Sequence, residues 1–209
     1  MSPERRTVQV VESGTQDDVA TRKRKDRMNK QEFDALFGSL WGEDEAGSES
    51  HIVQDPIELW QLVQKIQELN PARSLEIGVA NGGVTSFLHK VSGQVVGVDR
   101  LIAHAQNYGD YTGGNPAPIL IEGNSADPVI IAAVEEFAPY DFLFIDGDHS
   151  YEGCKADWDN YSPMVRPGGL IGFHDVGNEL EQVPGRVVKE TGLSYSHFQG
   201  RMGTALIQK

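Results

Sequence analysis

The chain has 209 residues, 39% of them hydrophobic, and a formal net charge of -13. That length allows one domain with a sizeable core, and no apolar run approaches the ~20 residues that span a bilayer, so no membrane-spanning helix is expected. So acidic a surface repels phosphate backbones and makes nucleic acid a poor substrate, while the lack of a signal-peptide core and the single cysteine, Cys154, fit a cytoplasmic protein.

Residues 1–50 differ from the rest. They hold few apolar residues, a basic cluster (Arg22, Lys23, Arg24, Lys25, Arg27) and an acidic patch (Glu43, Asp44, Glu45). Met1 to about Met28 reads as loosely attached. The basic cluster suits a solvated tail or helix face, or else a contact with nucleic acid or an acidic partner. Phe33, Leu36, Phe37 and Leu40 recur at helical spacing, which predicts a short helix over Lys30–Leu40. Its apolar face would cap a pocket, pack on the domain, or join a second subunit, so a homo-oligomer stays open.

A regular pattern begins near residue 51 and defines a domain over 51–209. Asp55-Pro56 is a helix start, with Asp as N-cap and Pro at the first helical position, and Asn70-Pro71 ends that helix. Strands are then expected at Ser74–Ile77, Gln94–Val98, Pro118–Glu122, Tyr140–Ile145 and Leu170–His174. Helices are expected near Val84–Lys90, Asp127–Phe137, Tyr151–Met164 and Val183–Thr191. Ser194–Gln199 and Thr204–Ile207 read as a closing strand pair. Strands alternating with helices imply an α/β fold. The expectation is a Rossmann-like, doubly wound sheet of about seven mostly parallel strands with helices on both faces.

The segment Ser74-Leu-Glu-Ile-Gly-Val-Ala-Asn-Gly-Gly83 carries most of the functional argument. A strand runs through Glu76 into Gly78, Asn81 and Gly82, and a helix follows. Glycines allow a tight turn and close approach of a ligand to the backbone. The helix N-terminus offers free N–H groups to an anionic group. The second strand ends in Asp99, about 20 residues on, the spacing at which an acid accepts ribose hydroxyls. Gly78, Ala80 and Gly83 loosely match a dinucleotide fingerprint, so a nicotinamide oxidoreductase is one reading. Glu76 favours a ligand with an ammonium group instead, and S-adenosylmethionine has one.

Here the chain resembles the class I S-adenosylmethionine-dependent methyltransferases, over roughly residues 55–207. Glu76-Ile-Gly78-Val-Ala-Asn-Gly82 is similar to that family's first motif, with Ala80 in place of the middle glycine. The resemblance makes Asp99 the ribose acid and places Asn124 and Ser125 against adenine. Asp141–Asp146 is similar to the fourth motif, and Arg166–Ile171 to the turn into the fifth strand.

The fourth strand ends in Asp146-Gly-Asp-His149-Ser-Tyr-Glu-Gly153, the fifth in Phe173-His174-Asp175. In a doubly wound sheet, ligands sit beyond the carboxyl ends of the strands. Asp146, Asp148 and His149 therefore belong where a methyl acceptor would meet the cofactor. These stretches resemble a narrower branch that shares "DGDHSYEG" and "GGxIxxHD". That branch holds small-molecule and sugar O-methyltransferases and proteins named as cephalosporin hydroxylases. Related O-methyltransferases bind a divalent cation at these two strand ends. By position, Asp146, His174 and Asp175 would be the ligands, with His174 where a carboxylate is usual.

Two chemistries follow. Mg²⁺ or Mn²⁺ would orient an acceptor hydroxyl and lower its pKa, or His149 would act as general base. Asp146, His149 and His174 are the candidate catalytic residues. Asp148 and Ser150 are also suited to capping the helix that starts at Tyr151. Tyr151 suits either the cofactor or an anchor for its loop. Trp158 and Tyr161 read as core, and Cys154 has no base to activate it. The sequence thus points to an S-adenosylmethionine-dependent methyltransferase acting on an oxygen of a small molecule. A nicotinamide oxidoreductase and a non-catalytic cofactor-binding module are the alternatives.

Overall fold

The computed structural model describes residues 27–41, 52–113 and 115–209. Of the loosely attached stretch expected over Met1 to about Met28, residues 1–26 lie outside those described, as does the acidic patch at Glu43, Asp44 and Glu45, while Met28 packs against the core and its carbonyl accepts from Gln67. Helix α1 spans Lys30–Leu40. Asn29 caps it by accepting from the Glu32 N–H, and the Glu32 side chain answers the Asn29 N–H, a reciprocal capping box. Helix α2 spans Pro56–Leu69, with Asp55 accepting from the Ile57 and Glu58 N–H groups and Asn70 closing it in the left-handed conformation.

Seven strands follow, interleaved with five helices: β1 Arg73–Ile77, α3 Gly83–Val91, β2 Gln94–Asp99, α4 Ala103–Tyr108, β3 Ile119–Glu122, α5 Pro128–Glu135 and β4 Tyr140–Ile145, then α6 Tyr151–Tyr161, β5 Val165–Phe173, α7 Val183–Glu190, β6 Tyr195–Phe198 and β7 Thr204–Gln208. They form one sheet in the order β3-β2-β1-β4-β5-β7-β6. β1 to β5 run parallel, and β7 pairs antiparallel with both β5 and β6. The order reverses between β1 and β4, which opens a crevice at their carboxyl ends.

Alternation along the strands divides the core. Leu75, Ile77, Leu143, Ile145, Ile171 and Phe173 face α5, α6 and α7. Phe142, Phe144, Val95 and Leu206 face the other way, onto α1, α2 and α3. Strand β4 is buried along its whole length, as a central strand covered on both faces must be. Its one charge, Asp141, sits at the far end from the crevice. It accepts from the Ala72 and Arg73 N–H groups at 2.7 and 3.0 Å and pairs with Arg166. That acid is structural.

Two observations extend the expected elements. Helix α4 was not legible in the sequence. Strand β5 begins five residues early, because Val165 already pairs with Tyr140 before a register irregularity at Arg166–Gly169. Buried Glu58 of α2 accepts from the Met202 N–H at 2.9 Å and the Thr204 hydroxyl at 3.1 Å, tying the β6–β7 hairpin to the opposite layer.

Candidate functional site

The glycine-rich turn is built around close backbone contact. Gly78 has φ 92°, and a Cβ there would lie 2.1 Å from the Asp146 carbonyl oxygen, so only glycine fits between the ends of β1 and β4. Ala80 also takes a left-handed φ, 47°. Its N–H donates to Asp99 Oδ2 at 2.8 Å, and Asp99 Oδ1 accepts from the Leu101 N–H at 3.1 Å. Asp99 thus secures the turn. A carboxylate has about four acceptor positions, so two remain for a ligand.

A cavity of about 470 Å³ lies over these strand ends, lined by Gly78, Asp99, Ser125, Asp146 and His149 among others. Of the expected cofactor residues, Glu76, Asn81, Gly82 and Asn124 stand outside that lining. Glu76 is buried beneath the turn, where its Oε2 accepts from the Thr85 hydroxyl at 2.5 Å. Burial pushes its carboxyl well above the usual range, against the Thr85 hydrogen bond, and the nearby charges of Asp146 and Asp99 add to the rise. Asn81 meets His104 at 3.1 Å, and Gly82 is the N-cap of α3. Asn124 folds back on its own turn by accepting from the Ala126 N–H.

On one wall of the cavity, two carboxylates and two imidazoles converge. His174 Nδ1 is 3.1 Å from both Asp146 Oδ1 and Asp175 Oδ2. His149 Nε2 is 3.5 and 3.2 Å from the same two oxygens. Three donor atoms, from Asp146, His149 and Asp175, lie within 4.8 Å of one another, a spacing one cation can bridge. The structure therefore brings together the expected Asp146, His174 and Asp175, and adds His149 to them.

The electrostatics follow from burial and charge. Burial disfavours a charged His174, but the carboxylates of Asp146 and Asp175 outweigh it and push the imidazole up to about 10. Burial also opposes ionisation of Asp146, yet His174 and His149 hold its carboxyl below the usual range. The hydrogen bond that His149 donates to Asp146 raises its imidazole, against partial burial. Among the described residues, buried His174 Nε2 has no hydrogen-bond partner, so this ring engages the cluster through Nδ1.

The sequence reading missed one member. Gln54, just before α2, donates from Nε2 to Asp146 Oδ2 at 2.8 Å and fixes that carboxylate from the other side. Nothing in a lone glutamine 92 residues upstream signals this contact. The remaining candidates resolve as structural. Ser150 caps α6 by accepting from the Gly153 N–H, while Asp148 accepts from the Ser150 N–H. Tyr151 donates to Glu190 and lies under Arg186, anchoring α6 to α7. Tyr161 is core, and burial pushes the Cys154 thiol up to about 12.

Residues 75–176 match the sequence profile of a family described as a methyltransferase domain. No curated protein matches the chain. Solved structures of the same fold include an O-methyltransferase from Bacillus cereus in complex with S-adenosylhomocysteine, 19% identical with a TM-score of 0.65, covering 87% of this chain and 92% of that one. Another is the O-methyltransferase TomG from Streptomyces achromogenes in complex with S-adenosylmethionine, 14% identical with a TM-score of 0.60, covering 87% and 90%. A third is MycE from the mycinamycin biosynthetic pathway, bound to Mg, S-adenosylhomocysteine and mycinamycin VI, 17% identical with a TM-score of 0.53, covering 71% and 48%.

Proposed function

We propose that this chain, whose residues 75–176 match a methyltransferase-domain profile, uses S-adenosylmethionine to methylate an oxygen of a small molecule. The observation that carries the reading is the cavity at the β1–β4 reversal, with Asp99 on one wall and the Asp146–His149 cluster on another. The residues fit the cofactor. Gly78 leaves backbone open where a side chain would intrude, and Asp99 keeps acceptor positions for ribose hydroxyls. Ser125 stands on the nucleoside side, in line with the adenine role that the resemblance gives it. Glu76, buried and hydrogen-bonded to Thr85, holds α3 against β1 beneath the turn. When bound, S-adenosylmethionine supplies a methyl group on a sulfonium, an electrophile that needs an aligned, deprotonated acceptor.

Residues of this chain meet that need. Gln54 and His174 lock Asp146, and Asp146 and Asp175 orient His149 with Nε2 toward the carboxylates. His149 is half exposed, so it can reach an acceptor hydroxyl and take its proton. Asp146, His149 and Asp175 would hold a divalent cation, with His174 beside them, and such a cation would lower the acceptor's pKa. MycE is bound to Mg in its complex, which supports testing Mg²⁺ first and Mn²⁺ second. We assign both ligand sites to residues 51–209, with α1 packed on the far layer. The methyltransferase-domain match favours this reading over the nicotinamide oxidoreductase.

Calorimetric titration tests the cofactor. S-Adenosylhomocysteine should bind and NAD should not compete. Asp99→Ala should weaken binding by roughly 1.5–3 kcal/mol, the worth of a hydrogen bond to a charged group. Unchanged affinity in a folded variant rejects the ribose assignment. The base is tested by pH. The Asp146 hydrogen bond raises His149 above 6.5, so its proton-accepting form grows only as pH climbs past that raised value. Turnover should therefore rise with pH in that range, and His149→Gln should lose both the limb and about 10²–10⁴-fold in rate. A limb retained in the variant removes His149 from the role.

A further inference from the structure

We propose that the methyl acceptor bears a carboxylate and that Arg201 receives it in a second cavity; the acceptor role of this cavity rests on the methyltransferase reading. This cavity, of about 290 Å³, lies on the other side of the charged cluster. His149 lines both cavities, so a molecule seated in the second presents its nearest atom to the same imidazole that faces the cofactor site. Val183, Pro184 and Met202 supply apolar wall, and Arg201 stands on the rim. The volume is at the small end of ligand cavities, ~300–1,000 Å³. It suits a single ring bearing a hydroxyl and one charged group.

The sign of that charge follows from which groups are already satisfied. Asp175 is engaged by His174 and His149. Glu181 accepts from the Glu179 N–H at 2.8 Å, and backbone hydrogen bonds hold its carboxyl below the usual range. Arg201 differs: among the described residues its guanidinium has no ion pair or hydrogen bond. The other arginines from Arg73 onward are partnered, Arg73 with the Phe137 carbonyl, Arg100 with Asp148, Arg166 with Asp141 and Arg186 with Glu190. In a chain of net charge -13, one arginine left open beside a cavity calls for an anion from outside. A guanidinium binds carboxylate through two parallel hydrogen bonds. Its loop is held in place, because Met202 accepts from the Gly177 N–H at 2.8 Å and Gly203 from the Val176 N–H at 3.2 Å.

The test uses 4-hydroxybenzoate, phenol and tyramine, titrated by calorimetry onto the full chain with and without saturating S-adenosylhomocysteine. The acid should bind at least roughly tenfold tighter than phenol, equivalent to about 1.4 kcal/mol. Arg201→Met should erase that margin and leave phenol unchanged; the side chain is exposed, so folding is not at stake. Equal affinities for acid and phenol, a margin that survives Arg201→Met, a preference for tyramine, or no binding by the acid each overturn the proposal. Arg201-dependent binding of the acid to a chain that fails to bind S-adenosylhomocysteine sinks the methyltransferase reading and keeps the anion site.

Discussion

Gly78→Ala is expected to destabilise the molecule strongly and to distort the mouth of the cofactor cavity. The new methyl would stand 2.1 Å from the Asp146 carbonyl oxygen and 2.8 Å from Gly147 Cα, both backbone atoms that cannot swing aside. The left-handed φ of 92° adds its own penalty. Backbone strain of this kind costs on the order of 1–3 kcal/mol, and overpacking about 1–3 kcal/mol more. At roughly 2–4 °C per kcal/mol for a chain of this size, the melting temperature should fall by about 5–20 °C. What survives folded should bind S-adenosylhomocysteine poorly, because relief can come only by parting β1 from β4 at the mouth of the cavity. A thermal melt and a titration decide it; a variant with native stability and affinity means the turn packs differently.

The second large effect is expected at Asp146. Its Oδ2 takes a hydrogen bond from Gln54, and its Oδ1 faces both imidazoles. Asp146→Asn removes the charge that holds His174 protonated and puts an amide N–H toward either the glutamine donor or the histidines. Breaking a buried pair in this way costs about 3–5 kcal/mol. Turnover should drop by about 10²-fold or more, as when a positioned catalytic group is lost. S-Adenosylhomocysteine should still bind through Gly78, Asp99 and Ser125. If a cation is held here, wild-type turnover should vanish with chelator and return with Mg²⁺ or Mn²⁺, and the variant should need far more of either ion. Activity indifferent to chelator, with Asp146→Asn still impaired, assigns the cluster to proton transfer alone. A variant as active as the wild type refutes both roles.

Much of the frame was legible because local chemistry and global packing agree. Helix α1 has its expected bounds, Lys30–Leu40, since one apolar stripe and a capping box point the same way. Strand β4 has its expected bounds because six apolar-rich residues lie between a proline and an acidic turn. Helix α4 was missed because Ala-His-Ala-Gln-Asn-Tyr offers no periodic apolar pattern, and among its described side chains Ala105 alone is buried. The early start of β5 was hidden by Pro167-Gly168-Gly169, which reads as a turn. At the site, Gly78 and Asp99 announced themselves through spacing along the chain. The Gln54–Asp146 contact and the approach of His149 to Asp175 did not, because they join residues that only the sheet order brings together. Glu76 read as a ligand for the ammonium group because it sits in the right motif; its hydrogen bond to Thr85 depends on how α3 packs over β1.

The Glu58 clamp bears on how the second cavity works. An amide in a surface loop ordinarily exchanges its hydrogen with water in little more time than an unfolded peptide does. Met202 donates its amide to a carboxylate that is itself 1% exposed. Its hydrogen should therefore be released only when α2 and the hairpin separate, and its protection should approach that of the β7 strand. An acceptor would then meet a rim already ordered before it arrives. The entropy of arranging Arg201's backbone is spent during folding, which leaves only side-chain ordering to weaken binding.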